Sequence, residues 1–211
     1  MVGMLRHQTI AGDAGNDARA SRRQLLKRAA VAGGAVTAGG ALVGTLPRLA
    51  SSAPSPAQDV RILNLVLLLE YVEAGFYAEA RAKGALRGEL RRFARVVGAH
   101  EEEHLAFLKN ALGSKARKRP RLDFGKATTD PRAFVRAAVA LEDTSVAAYN
   151  GQATNLTAGT LAAAAKIVSV EARHAAWIRA IAGEVPAVDA TDAPLSATEV
   201  LAALERTGFV R

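Results

Sequence analysis

The sequence predicts an all-α fold: a four-helix bundle with a long crossover between its second and third helices and a short fifth helix at the end. Three observations predict it. From residue 59 onward apolar residues recur at helical spacing, and no stretch sustains strand alternation. The connections run short, long, short, which makes two antiparallel hairpins joined by one long return. The hairpins also align with each other, LEYVEAGFY at 69–77 with LEDTSVAAY at 141–149 and EEEHLAFL at 101–108 with EARHAAWI at 171–178, at offsets of 72 and 70.

The bundle is expected to begin well inside the chain. Ser21-Arg22-Arg23-Gln24-Leu25-Leu26-Lys27 resembles the twin-arginine export signal, and an apolar run over 29–46 follows, diluted by Gly33, Gly34, Gly39, Gly40 and Gly44. Ala50 and Ser52 occupy the small-residue positions of a cleavage site, which places the cut after Ser52 and the signal at 1–52. An uncleaved anchor has the right length but too much glycine. This resemblance implies a partner, the twin-arginine translocation machinery, and a periplasmic, cell-surface or extracellular destination, with the membrane met only in transit.

Without residues 1–52 the chain holds 21 Lys and Arg against 18 Asp and Glu, a net charge of +3 in place of +8. The basic character belongs in part to the signal, so no nucleic-acid partner is expected. The chain has no cysteine, which excludes disulfides, zinc ribbons and iron–sulfur centres; Met1 and Met4 both precede the cut, which excludes a methionine-ligated haem. Any metal must be held by oxygen and nitrogen.

Residues 53–58 are expected to form a flexible leader with two prolines. The first helix starts with Asp59 as its cap and stops at Gly84; the second starts near Leu86 or Gly88 and closes on Gly113. The third opens at Asp130-Pro131, a cap followed by a proline at the first helical position, and continues to about Ala153. The fourth follows the break at 155–159 and ends near Gly183, so the bundle occupies 59–183. The remainder, 184–211, is a linker and a short helix opened by the capping box Ser196-Ala197-Thr198-Glu199. A crossover of about sixteen residues extends to roughly 50 Å, longer than the ~37 Å of a 25-residue helix, so it can run the full length of the bundle.

The chemistry-bearing residues sit where the core should be. Glu101 and His104, and again Glu171 and His174, are three residues apart, so each pair shares one helix face and can reach one ion. The repeat matches Glu70 with Glu142, and it selects Glu70 rather than Glu73, which matches Ser145. Glu70 and Glu101 are equidistant from the first hairpin turn, and Glu142 and Glu171 from the second, each roughly 22 Å along. Glu70 lies on the stripe Leu63, Leu67, Glu70, Ala74, Tyr77, and Glu171 on Ala164, Ile167, Glu171, His174, Ile178. Four carboxylates meeting in an apolar bundle demand counter-charge, and two divalent cations supply it with two neutral imidazoles.

LEYVEAGFY, AHEEEHLAFL, LEDTSVAAY and VEARHAAWI together resemble the four helices of the ferritin-like di-metal carboxylate superfamily, nearest to the bacterial ferritin-like domain that desiccation-related proteins also share. The resemblance covers about 59–183. It implies a ferritin-like bundle with two iron or manganese ions, Glu70 and Glu142 as terminal ligands, Glu101 and Glu171 as bridging ligands, and His104 and His174 as terminal ligands.

Other residues have competing readings. His100 completes His100-Glu101-Glu102-Glu103-His104, the H-E-x-x-H pattern of zinc proteases, but that reading leaves Glu171 unexplained and must borrow His174 as its third ligand. His100 is otherwise exposed or a support for a ligand. Tyr77 and Tyr149, about 10 Å along their helices from Glu70 and Glu142, are expected as core tyrosines with bonded hydroxyls. Glu73, Glu103, Asp143 and Arg173 could brace ligands, yet each alone suits a solvated or interhelical charge. The basic run Lys115, Arg117, Lys118, Arg119 and Arg121 suits a solvated loop or contact with an anionic surface. The apolar segment 62–69 leaves the first helix almost no polar face, so the fifth helix, the leader or a second subunit in a homo-oligomer should cover it.

Two function classes follow: a redox protein that oxidises Fe(II) or disproportionates peroxide, and a non-catalytic metal-binding or desiccation-protective protein. Outside the cytoplasm no NAD(P)H is supplied, which disfavours oxygenase and desaturase chemistry.

Overall fold

The computed structural model describes residues 53–211, so the signal expected over 1–52 lies outside the described residues. Five α-helices follow one another: α1 (Pro56–Lys83), α2 (Gly88–Leu112), α3 (Pro131–Gln152), α4 (Ala158–Ala182) and α5 (Ala197–Thr207). The fold of the described residues is all-α, a four-helix bundle with the long α2–α3 crossover and the short fifth helix that the sequence predicts. Among the described residues no helix is long and apolar enough to cross a membrane.

Most helix ends follow from their own sequence. Asp130 accepts from the Ala133 amide at 2.7 Å with Pro131 at the first helical position, and Ser196 and Glu199 close a full capping box. Gly84 and Gly183 end α1 and α4 in the left-handed conformation. One end corrects the local reading. Helix α1 starts at Pro56, inside the expected leader, and its cap is Ser55. Asp59 instead serves the start of α4, accepting from the Thr157 amide at 2.9 Å, the Thr157 hydroxyl at 2.5 Å and the Thr160 hydroxyl at 2.6 Å. Thr157 makes no capping bond of its own, so Asp59 satisfies that end from another helix.

The cover for α1 is the crossover. Asn64 holds it from both sides, donating to the Lys115 carbonyl at 3.1 Å and accepting from the Arg117 amide at 2.8 Å, while the Tyr71 hydroxyl donates to the Arg117 carbonyl at 3.2 Å. A Cβ at Gly75 would meet the Arg119 guanidinium and Leu122, so the strap lies directly on the helix. The C-terminal tail then clamps the strap. Leu122 and Val210 form an antiparallel bridge, and Phe209 packs on both Phe76 and Phe124. The leader does not provide this cover, since its residues from Pro56 on belong to α1 itself.

Two apolar clusters divide the interior. One gathers Phe76, Tyr77, Phe93, Phe134 and Ile178; the other gathers Ile62, Leu67, Leu108, Tyr149 and Ile167. On α2 the buried apolar positions stop at Val97 and resume at Leu108, and on α4 they stop at Ile167 and resume at Ala175. The interval on each helix is where its Glu-x-x-His pair falls.

Candidate metal centre

All six residues singled out by the repeat converge in that interval. Glu70, Glu101, Glu142 and Glu171 have no exposed surface, His174 is buried, and the His104 side chain is 11% exposed. Two groups form, each with ligand atoms within 4.8 Å of one another: Glu70, Glu101, His104 and Glu171, and Glu101, Glu142, Glu171 and His174. Each could hold a metal ion. Glu101 and Glu171, from α2 and α4, belong to both groups; Glu70 and Glu142, from α1 and α3, belong to one each.

The donor atoms face inward and satisfy one another only in part, His104 Nδ1 bonding Glu101 Oε2 at 3.0 Å. His104 Nδ1 stands 2.8 Å from Glu171 Oε1, and His174 Nδ1 stands 2.9 Å from Glu101 Oε1. Even so, Glu70 Oε2, Glu101 Oε1, Glu142 Oε2, both Glu171 oxygens and His174 Nδ1 have no hydrogen-bond partner. Buried polar atoms are normally paired, and six orphans crowded together with lone pairs suit a cation. Carboxylates with two imidazoles fit iron, manganese or zinc chemically.

Without metal, protons supply the counter-charge. Burial, then the Glu171 charge, pushes the Glu101 carboxyl well above its usual range. Burial also raises Glu142, to about 7. For His104 burial favours the neutral ring, but contacts with Glu101, Glu171 and Glu70 outweigh it and push the pKa up to about 12. The same opposition, with Glu101, Glu142 and Glu171, takes His174 up to about 11. Glu171 goes the other way: burial alone would raise it, but the two imidazoles hold it below its usual value.

The tyrosine hydroxyls are bonded, and each bond crosses between hairpins. Tyr149 donates to Glu70 Oε1 at 2.8 Å, and Tyr77 donates to Glu142 Oε1. Burial, then the facing glutamate, raises both phenols well above their usual value, so they remain donors.

Two further residues stand beside the six. Glu73, expected among solvated or interhelical charges, is wholly buried; its Oε1 accepts from Ser145 Oγ at 2.8 Å and its Oε2 has no partner. It joins neither metal-capable group. The sequence did carry a signal for it, since a helix with no polar face cannot turn Glu73 to water. His100 also joins neither group, and its Nδ1 lies 2.9 Å from His174 Nε2. The H-E-x-x-H pair therefore does not converge on one ion: His104 points into the carboxylates and His100 points at another imidazole. Asp143 pairs with Arg179 at 2.7 Å. Glu103 and Arg173 are exposed, and with His100, His104, Val170, His174 and Trp177 they line a surface cleft floored by both candidate imidazoles.

Bundle, crossover and buried carboxylate–imidazole layer define a ferritin-like protein. The chain belongs to the ferritin-like domain family, whose model matches residues 58–184, more than half of the chain. No curated protein matches it.

Proposed function

We propose that this protein is exported through the twin-arginine pathway and holds a dinuclear iron or manganese centre that oxidises Fe(II) or disproportionates peroxide. The observation that supports it is the sharing of Glu101 and Glu171 by two four-residue groups, each otherwise complete with its own glutamate and imidazole. Glu70 and His104 would finish one position, Glu142 and His174 the other. A bound metal pair would pass electrons from Fe(II) to dioxygen or peroxide, or between two peroxide molecules to give water and oxygen. The protein's own part is to hold six donors in place, with Tyr77 and Tyr149 orienting Glu142 and Glu70. The cleft that opens on the two imidazoles would be the route for a small substrate. Both reactions need no partner reductant, which suits a compartment without NAD(P)H. Export as a folded protein would let the metal be loaded before zinc and copper compete for the same donors.

The complete burial of all four glutamates favours a second reading, a metal site that stabilises the bundle without turnover. One experiment separates the two. Exported protein reconstituted with Fe(II) or Mn(II) should hold about two ions per chain and turn over Fe(II) or peroxide, and Glu171→Ala should lose metal and turnover with modest loss of helicity. A rise in thermal stability with metal, and no turnover under any reconstitution, selects the second reading. A precursor carrying Arg22→Lys and Arg23→Lys should remain in the cytoplasm; undiminished export would overturn the localisation.

A further inference from the structure

The two candidate positions are alike in their first contacts and unlike just behind them. His174 uses both ring nitrogens: Nδ1 faces Glu101, Glu142 and Glu171, while Nε2 faces His100 Nδ1 at 2.9 Å. The two rings lie nearly parallel, at 17° with centroids 5.1 Å apart. On the other side His104 presents Nδ1 to Glu70, Glu101 and Glu171 in the same manner. Among the described residues no second imidazole stands behind it, and the residue that matches His100 in the repeat is Val170.

We propose that His100 is a positioning residue for His174 alone and makes the Glu142–His174 position the tighter of the two metal positions. The inference rests on the metal reading above. A neutral imidazole that offers Nδ1 to a metal must carry its proton on Nε2, and His100 Nδ1 stands where it accepts that proton's hydrogen bond. This bond selects the binding tautomer of His174, restrains its ring and increases the donor strength of Nδ1. His104 has no such restraint from an imidazole and must select its tautomer against water in the cleft.

The repeat supplies the controls. Glu70 belongs to one group and Glu142 to the other, so Glu142→Gln leaves a protein with only the Glu70–His104 position, and Glu70→Gln one with only the Glu142–His174 position. His100→Phe keeps a ring against His174 and removes the acceptor; His100→Asn returns an acceptor close to the place of Nδ1. Mn(II) affinity is measured by competition with a fluorescent chelator, and folding by circular dichroism, for each variant in each background.

The wild-type protein should take up Mn(II) in two unequal steps. In the Glu70→Gln background His100→Phe should weaken binding by about 10- to 100-fold, the usual effect of removing a ligand's hydrogen-bond partner, and His100→Asn should restore most of it. In the Glu142→Gln background both His100 variants should leave the affinity within about twofold, because His100 contacts His174 and not His104. An equal loss in both backgrounds, or none in either, would overturn the inference and leave the metal reading standing. No Mn(II) binding by the wild-type protein would overturn both.

Discussion

The Tyr149 hydroxyl lies 2.8 Å from Glu70 Oε1, and these two residues come from opposite hairpins. Its mirror is the bond from Tyr77 to Glu142. Each terminal carboxylate of the candidate centre is therefore held by the half of the molecule that does not contain it, and neither hairpin can complete its own site. Tyr149→Phe should destabilise the metal-free protein by about 1–3 kcal/mol, the cost of leaving a buried acceptor unpaired. Urea unfolding in the presence of a chelator checks this, and Tyr77→Phe should behave alike.

Glu73 is a carboxyl in a place where its charge is unwelcome. Burial, then the charges of Glu142, Glu171, Glu101 and Glu70, pushes it well above the usual glutamate value of 4.5. Its contribution to stability is thus full below that value and is lost as pH rises toward the folded-state value. Glu73→Gln keeps an acceptor for Ser145 and cannot ionise, so its advantage over wild type should grow from pH 5 to pH 8. Metal content should stay at the wild-type level. A loss of metal like that of Glu171→Ala would make Glu73 a ligand.

Metal loading should release protons. His104 and His174, at about 12 and about 11, carry their protons at pH 8 in the metal-free protein, and both must give up the one on Nδ1 to bind a cation. Titration with Mn(II) in weak buffer should release about two protons per chain or more. The sign for stability follows from histidine's ordinary value of 6.5: the contribution of these charged rings is full below it and is lost as pH rises through their folded values. Chelated protein should lose this stabilisation progressively as pH rises above 6.5, the loss being complete only near the folded values of about 11 and about 12, while the stabilisation conferred by Mn(II) increases. Thermal melts at matched pH values test the divergence.

Asp59→Ala should cost about 1–2 kcal/mol, the magnitude of a lost helix cap, and should fray the start of α4. Burial alone would raise the Asp59 pKa, but its bonds from Thr157 and Thr160 outweigh that and lower it below 3.8. The stabilisation is present above pH 3.8 and disappears as pH falls through the lowered value. The difference between wild type and variant in urea unfolding should therefore close in acid.

Helical period, loop length and the internal repeat made the bundle legible, because each is a property of neighbouring residues. The six candidate ligands were legible through the repeat, which compares two copies of one environment. Asp59 shows where that stops: any aspartate ahead of an apolar run suits a local cap, and nothing near it announces a partner 98 residues away. Glu73 was misplaced because its match in the repeat, Ser145, is uncharged; the two in fact bond each other across the bundle. The cover on α1 was unreadable for a different reason. The crossover segment has no apolar period, and it is held by Asn64 and Tyr71 through main-chain atoms, which carry no side-chain signature.

The bridge between Leu122 and Val210, with Phe209 seated on Phe76, also sets an order of events. A growing polypeptide offers its N-terminal parts first, so both hairpins leave the ribosome before Phe209 and Val210 do. The clamp that these two residues put on the strap over α1 therefore closes after both hairpins are made. A change at Phe209 acts on that late contact, although the residue lies far along the chain from Glu70 and Glu101.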